Sequence, residues 1–204
     1  MTHLILASTS RIRKKILIDS GINFEVIAPF YDEDNEKKKL PKMSPKKLAL
    51  FLAKQKALSV SEKFPDSYVI GSDQVCEFQK KEISKSKNSQ EALIQLKKFN
   101  GKTHFQNNAS VVALGGKIIY ENFSRVELKM RKMSTAEIEH YVKLDKPWGC
   151  AGSYKYESLG KHLFEKISGD YFAVLGLAIQ PLLAFFYRKK LIIFTNKKLP
   201  TNVN

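Results

Sequence analysis

Short apolar runs alternate with amphipathic stretches along this chain. Leu4-Ile-Leu-Ala7 is a run of strand length, and the hydroxyl cluster Ser8-Thr-Ser10 after it is a helix-start signal. A helix is expected from there to about Ser20, with Ile12, Ile16 and Leu17 apolar and Gly21 as its stop. Phe24 to Ile27 reads as a strand ending at Pro29, and the polar segment Tyr31 to Ser44 reads as loop. Ser44-Pro45 opens a longer helix through about Glu62, because proline at the first helical position gives up an N–H that would have no partner there. Ser67 to Gln74 begins as a buried strand and is expected to break at Gly71-Ser-Asp73.

The second half continues the alternation. Ser89 to Phe99 reads as a helix closed by the turn signal Asn100-Gly101. Val111 to Leu114 and Lys117 to Tyr120 form an expected hairpin through Gly115-Gly116, and Val126 to Met130 alternates as a strand does. Ser134-Thr-Ala-Glu137 is a capping box opening a helix to about Leu144. Pro147 to Gly160 reads as loop, Leu177 to Tyr187 as a helix, and Leu191 to Phe194 as a last short strand. Interleaved strands and helices make this a mixed α/β chain. No repeat, low-complexity tract or flexible linker divides its 204 residues, which suit one domain or one domain in two lobes.

Composition narrows the classes. At 43% hydrophobic residues the chain can bury a core, which excludes a disordered basic tail. No apolar stretch reaches the ~18 residues of a membrane span; the most apolar, Ala173 to Tyr187, carries Gln180 and Pro181. The first ten residues lack the basic start of a signal peptide. The two cysteines, Cys76 and Cys150, have neither metal nor redox spacing, so a reducing, cytoplasmic setting is expected. The net charge of +15 invites a nucleic-acid reading. Its make-up argues against one: of 35 basic residues only Arg11, Arg13, Arg125, Arg131 and Arg188 are arginine, and no nucleic-acid-binding motif is present. Lysines spread along a chain fit a solvated surface, and the charge alone names no partner.

Four constellations carry candidate chemistry, each with an ordinary structural reading beside it. Ala7 to Lys14 is a hydroxyl-rich strand-to-helix turn whose free amides and nearby Arg13 suit a phosphate; plain helix capping is the alternative. Asp73 in Gly71-Ser-Asp-Gln74 could bind Mg²⁺ or activate water, or simply stabilise a turn. Asp32-Glu33 could add an oxygen ligand for a hard cation. Trp148 to Glu157 combines aromatic faces with a carboxylate, enough to hold a nucleobase or to pin a loop. A phosphate loop of the Walker type and a Gly-x-Gly-x-x-Gly dinucleotide turn are both absent, and neither cysteine has a histidine at a nucleophile's spacing.

Taken in order, these segments resemble the Maf family of nucleoside triphosphate pyrophosphatases. The likeness rests on Leu4-Ile-Leu-Ala-Ser-Thr-Ser10 with Arg13, Asp32-Glu33, Leu52-Ala-Lys-Gln-Lys56-Ala57 and Val69-Ile-Gly-Ser-Asp73-Gln74. It continues through Gly101-Lys-Thr-His104, Ala151-Gly-Ser-Tyr-Lys-Tyr-Glu157 and Gly169-Asp-Tyr171 to Leu175-Gly-Leu177, covering about residues 3 to 188. The resemblance implies an elongated α/β fold, a twisted mixed sheet flanked by helices with two lobes around a cleft, related to the inosine triphosphatase fold. Residues 1–188 would be one domain and 189–204 a C-terminal extension. It implies a cytoplasmic homodimer hydrolysing a nucleoside triphosphate to the monophosphate and diphosphate with a divalent cation, Mg²⁺ first and Mn²⁺ second, and without a membrane. Nucleic acid is not the expected partner, and a non-catalytic basic nucleic-acid-binding protein, supported by charge alone, is the competing reading.

Carried over position by position, Asp73 takes the place of the proton acceptor, with Lys56 and Lys85 as catalytic cations and Glu33 with Asp73 beside the metal. Ser8 and Arg13 match positions around the phosphates, and Ile12, Gln74 and Glu157 match positions linked to base selectivity. Ser72-Asp-Gln-Val-Cys76, Cys150-Ala-Gly-Ser153 and Glu157 resemble the 7-methyl-GTP branch of the family, whereas a dTTP/UTP-type or broad-specificity enzyme is the alternative. Two departures stand out. Ile12 occupies a position where that branch carries Trp, and Ser84-Lys-Ser86 replaces Gly-Lys-Pro while keeping Lys85.

Overall fold

The computed structural model describes residues 3–192. Its centre is a mixed sheet built on β1 (Leu4–Ala7), β2 (Glu25–Ile27) and the long strands β3 (Tyr68–Phe78), β5 (Thr103–Leu114) and β6 (Lys117–Met130). With β7 (Phe164–Ser168) at the far edge the order is β2-β1-β3-β5-β6-β7, and β4 (Lys81–Ile83) pairs with the end of β3. β1 runs parallel to β2 and to β3, and the remaining pairings are antiparallel. Helices α1 (Arg11–Asp19), α2 (Glu33–Lys39), α3 (Pro45–Ser61), α4 (Ser89–Phe99), α5 (Thr135–Asp145), α6 (Tyr171–Leu175) and α7 (Ile179–Arg188) flank it. The mixed sheet flanked by helices expected from the sequence is therefore present.

Both faces of the central strands are covered, which explains why β1 is apolar throughout rather than alternating. Successive side chains point to opposite faces. Leu4 and Leu6 pack with Ile16, Leu17 and Phe186 of α1 and α7, while Ile5 and Ala7 pack with Leu52, Ala53 and Ala57 of α3. A third cluster, with Leu96, Phe99, Leu128 and Ile138, fills the half of the sheet under α4 and α5. His104 is buried there, stacked on Phe99 at 4.5 Å, and burial holds its pKa down at about 3. Both cysteines are free thiols.

The helix ends follow local signals. Ser10 caps α1 by accepting from the Arg13 N–H, Ser44 caps α3 with Pro45 next to it, and Ser134 with Glu137 completes the capping box of α5. Four expectations need correction. The segment Tyr31 to Ser44 is not all loop: α2 forms inside it although it shows no apolar period, with Asp32 accepting from the Asn35 N–H and three lysines at its end. β3 does not break at Gly71-Ser-Asp73 but runs on to Phe78, because these turn-forming types are paired on both sides, with β1 at Gly71 and with β5 throughout. The two short strand readings at Lys117 to Tyr120 and Val126 to Met130 are one strand, β6, so the hairpin with β5 is far longer than expected. Leu191 and Ile192 form no strand; Ile193 and Phe194 lie outside the described residues, as does most of the 189–204 stretch.

The elements β4, β7 and α6 were absent from the sequence reading, being three to five residues long with no period to see. The β3–β4 connection is a two-residue turn, Gln79-Lys80, with φ of 52° and 62°. Asn-Gly normally fills such a turn, and each L-residue there costs about 1–2 kcal/mol. At Gly71 the constraint is steric: a Cβ would lie 2.3 Å from the Ala53 carbonyl oxygen and 2.8 Å from the Ala57 Cβ of α3. Gly71→Ala is expected to push α3 off the sheet and cost about 1–3 kcal/mol, read as a lower urea midpoint at unchanged m-value.

Candidate active site

Strands β2, β1 and β3 are parallel, and their carboxyl ends open on one cleft of about 490 Å³. That is where an open α/β sheet leaves a crevice, because the chain turns away from the sheet in opposite directions there. β1 delivers Ser8, whose Oγ accepts from the Ser10 N–H at 3.1 Å, and the first turn of α1 adds Ile12 and Arg13. Beyond β2 the chain carries Pro29 and Tyr31 along the wall and enters α2 at Glu33. β3 contributes Asp73 two residues after Gly71, so both point to the α3 face of the sheet.

Charges dominate the floor. Lys56 of α3 sits between two carboxylates, its Nζ 2.5 Å from Asp73 Oδ1 and 2.6 Å from Glu33 Oε2. Both partners are largely withdrawn from solvent, with side-chain exposures of 6% for Asp73 and 22% for Glu33. Lys37 extends the network, 3.3 Å from Glu33 Oε1 and 3.3 Å from Glu82 Oε1. Burial alone would raise the pKa of Glu33, but Lys56, Lys37 and Lys85 overcome it and hold the carboxyl at about 2. For Lys37 the desolvation cost is likewise outweighed by Glu33, Glu82 and Asp73, and its pKa rises. Burial lowers the pKa of the Arg13 guanidinium, with Asp73 and Glu33 opposing the shift.

A second set of contacts holds the opposite face of β3. Ser72 Oγ lies 2.8 Å from the Ala109 carbonyl oxygen and 2.9 Å from that of Gly176. Gln74 Nε2 donates to the carbonyls of Ala173 and Val174, and Arg13 Nε donates to Gly176 at 2.8 Å. Buried Asn108 donates to the Asp73 carbonyl at 3.1 Å and accepts from the Ala178 N–H at 3.1 Å. These side chains satisfy carbonyls that the end of α6 leaves without helical partners. They also fix the backbone that carries Asp73.

The remaining wall is the loop after α5, with Cys150, Tyr154, Tyr156 and Glu157. Ser153 Oγ reaches Ser86 Oγ at 2.8 Å and Gln95 Oε1 at 2.6 Å, and the Gly149 N–H donates to the Ser86 carbonyl at 2.8 Å. These bonds tie the loop to Ser84-Lys-Ser86 and so bring Lys85 to the cleft. Tyr154 is pinned below by Gln106 at 2.7 Å and His104 at 2.9 Å. Glu157 is exposed at the rim, with no hydrogen bond to any described residue.

Every site residue expected from the sequence lines this one cleft: Ser8, Ile12, Arg13, Glu33, Lys56, Asp73, Gln74, Lys85 and Glu157. Two of them have structural duties as well, since Gln74 and Arg13 bind the α6 carbonyls. Asp32 turns outward as the cap of α2, and Trp148 lies on a neighbouring groove rather than in the cleft. Sequence reasoning read Ser72 and Tyr154 only as parts of longer motifs and missed Tyr31, Lys37 and Asn108. A signal for the last existed in Gln106-Asn-Asn108, three polar side chains in a strand-length run, since buried polar residues are the informative exceptions.

Among the described residues no group of three or more His, Cys, Asp or Glu side chains is arranged to hold a metal ion. Glu33 and Asp73 nevertheless converge on a common point, since both touch the same lysine nitrogen. Two carboxylates of this kind fit a hard cation such as Mg²⁺, which keeps water and takes phosphate oxygens for its other ligands.

A profile of the Maf family, described as Maf-like protein, matches residues 3–189. A nucleoside triphosphate pyrophosphatase from Bradyrhizobium diazoefficiens is 40% identical over 191 residues, covering 93% of this chain and 95% of that one. One from Ruegeria sp. is 40% identical over 190 residues, covering 90% and 94%. A nucleoside-triphosphatase (dITP/XTP pyrophosphatase) structure from Mycobacterium abscessus aligns over 93% of this chain and 95% of its own, at 13% identity and a TM-score of 0.40, a likeness too loose to carry weight.

The ion network makes an opposite-sign prediction for pH. In the parent protein the depressed pKa of Glu33 stabilises the fold above its unfolded value of 4.5, and that stabilisation is lost as pH falls from 4.5 toward 2. Lys56→Met leaves two carboxylates facing each other without the lysine between them; Lys37 still touches Glu33, and Lys85 and Arg13 act from farther away. It should cost on the order of 3 kcal/mol at pH 7 and then regain stability from pH 7 to 5, as one carboxyl takes up a proton more readily than in the unfolded chain. Urea midpoints measured across this range check the sign: a variant that weakens in parallel with the parent contradicts the geometry.

Proposed function

The chain belongs to the Maf family, and we propose that it is a nucleoside triphosphate pyrophosphatase whose active centre is the cleft around Asp73, Lys56 and Glu33. The observation that carries this reading is the convergence of nine separately expected side chains on one cavity at the carboxyl ends of the parallel strands. The curated relatives of that name align along nearly their whole length, which supports the same activity here.

The reaction is attack of water on the α-phosphorus with departure of diphosphate. Its difficulty is electrostatic, because the nucleophile approaches a polyanion and more negative charge gathers on the leaving group. Asp73 orients the water and accepts its proton, and Lys56 at 2.5 Å fixes the direction of that carboxylate. Lys85, free of carboxylate contacts among the described residues, faces the leaving group. Ser8 and the open first turn of α1 hold phosphate oxygens, and Arg13 supplies positive charge from beneath. Glu33 and Asp73 would hold a divalent cation, Mg²⁺ before Mn²⁺, which when bound neutralises phosphate charge. A homodimer in the cytoplasm is part of the same reading.

For the base, a methylated purine nucleotide such as 7-methyl-GTP is the first choice. Glu157 supports it: an exposed carboxylate at the cleft rim, without a hydrogen-bond partner among the described residues, suits the adjacent N–H donors of a guanine edge and a cationic ring. The Ser72 to Cys76 and Cys150 to Ser153 motifs point the same way. Ile12, an aliphatic side chain on the wall, makes a weaker stacking face than an aromatic would and leaves a dTTP/UTP-type or broader enzyme as the alternative.

Asp73→Asn should lower diphosphate release by about 10²–10⁴-fold, with loss of the partly buried pair to Lys56 costing about 1–3 kcal/mol and the variant still folded by circular dichroism. Diphosphate release from 7-methyl-GTP, GTP, dTTP and UTP with Mg²⁺ reads both the activity and the base. Undiminished turnover in Asp73→Asn rejects the role of that carboxylate, and no turnover of any of the four rejects the assignment.

A further inference from the structure

The cleft does not close at Lys85. A wider groove of about 1070 Å³ adjoins it and shares Tyr31, Glu33, Lys85 and Gly149 with its wall. Seven lysines and three carboxylates line the groove; Glu33 and Glu82 are engaged by Lys37, and Asp32 caps α2. Lys42, Lys80, Lys81, Lys85 and Lys87 have no carboxylate within ion-pair distance among the described residues. A concave surface with a marked excess of positive charge concentrates field and draws in polyanions.

Two independent features mark the groove as more than a solvated lysine face. The β3–β4 turn holds Gln79 and Lys80 at positive φ, a strained conformation that presents Lys80 and Lys81 to the groove. Trp148, the single tryptophan of the chain, is 38% exposed on the groove wall. An exposed indole beside a line of cations is the arrangement that stacks a base while its phosphates follow the charges.

We propose that the groove receives the leaving group of a longer substrate, a dinucleoside polyphosphate. One nucleotide occupies the cleft, the further phosphates run along the lysines, and the second base rests on Trp148. This rests on the reading of the cleft as a pyrophosphatase site. For a dinucleoside tetraphosphate the water oxygen bonds to the α-phosphorus and the bond from that phosphorus to the bridging oxygen breaks. The electron pair stays on that oxygen, the water proton goes to Asp73 and then to solvent, and the products are a nucleoside monophosphate and a nucleoside triphosphate. A single nucleic-acid strand would also follow cations and an indole, but continuity with the phosphate end of the cleft favours an occupant joined to the scissile phosphate.

The test uses the full chain with diguanosine, diadenosine and diuridine tetraphosphates beside the corresponding nucleoside triphosphates. At least one tetraphosphate should yield monophosphate plus triphosphate by chromatography. Lys80→Gln with Lys81→Gln should raise its KM about fivefold, the effect of two exposed charge contacts, and leave the triphosphate KM within about twofold. In an Asp73→Asn background, which blocks turnover, the same tetraphosphate should quench the fluorescence of Trp148. Cleavage of triphosphates without any tetraphosphate overturns the groove assignment and leaves the cleft reading standing, as does an equal KM change for both substrates. Silence on every substrate overturns the cleft reading, and this proposal with it. Quenching by a dodecathymidylate strand at lower concentration than by any tetraphosphate would assign the groove to nucleic acid instead.

Discussion

Helix α3 lies directly on β3 because residue 71 has no side chain. The Ala53 carbonyl and the Ala57 methyl fill the space that a Cβ would need, and this close approach sets the height of Lys56 above the sheet. Asp73, two residues along the same face, then meets the lysine nitrogen at 2.5 Å, and Glu33 reaches that nitrogen from α2 on the other side. The position of α2 follows in turn, since it has no apolar face to bury and is held by Glu33, by Lys37 bonding to Glu82, and by its Asp32 cap. The floor of the cleft and the placement of its acid and base groups thus descend from one glycine against two alanines.

Such a network is a poor device for stability. Partly buried charges lose hydration, and their mutual attraction returns little more than that loss, so an apolar replacement of similar volume would serve the fold as well. What the network supplies is position: two carboxylates are held close together by the lysine that lies between them. The polar side chains on the other face of β3 act in the same sense. Ser72, Gln74 and Asn108 bind the carbonyls and amide around α6 and α7, so the strand carrying Asp73 is held from both sides. Buried polar groups that are fully bonded make a region rigid and specify one arrangement.

The charge of the chain divides along the same lines. A few cations, Lys56 and Arg13 in the cleft and Lys37 beside it, are committed to carboxylates or carbonyls. Several others converge on the adjoining groove without carboxylate partners among the described residues, and most of the other described ones lie at the surface. A net charge of +15 does not distinguish these three populations. Only the second creates a directional field, since charges lining a concavity reinforce one another while those on a convex surface are screened within about 10 Å.

Much of the fold was legible in the chain because it rests on local physics. β1, α1, α3, α4 and α5 have strong apolar runs or periods, and their bounds follow the signals at Ser10, Ser44, Asn100-Gly101 and Ser134. Nine side chains expected from short motifs in the sequence also share one cleft. What the sequence could not express was any feature whose cause lies far along the chain. Gly71-Ser-Asp73 looks like a turn because its residues favour turns; it is strand because β1 and β5 pair with it and α3 needs the missing side chain. α2 looks like a loop because its stabilising partners, Lys56 and Glu82, are distant in sequence. The sequence by itself determined the elements with strong local signals, β1, α1, α3, α4 and α5. Tertiary structure alone decided that Lys56 stands between Asp73 and Glu33, because that meeting depends on how closely a helix approaches a strand.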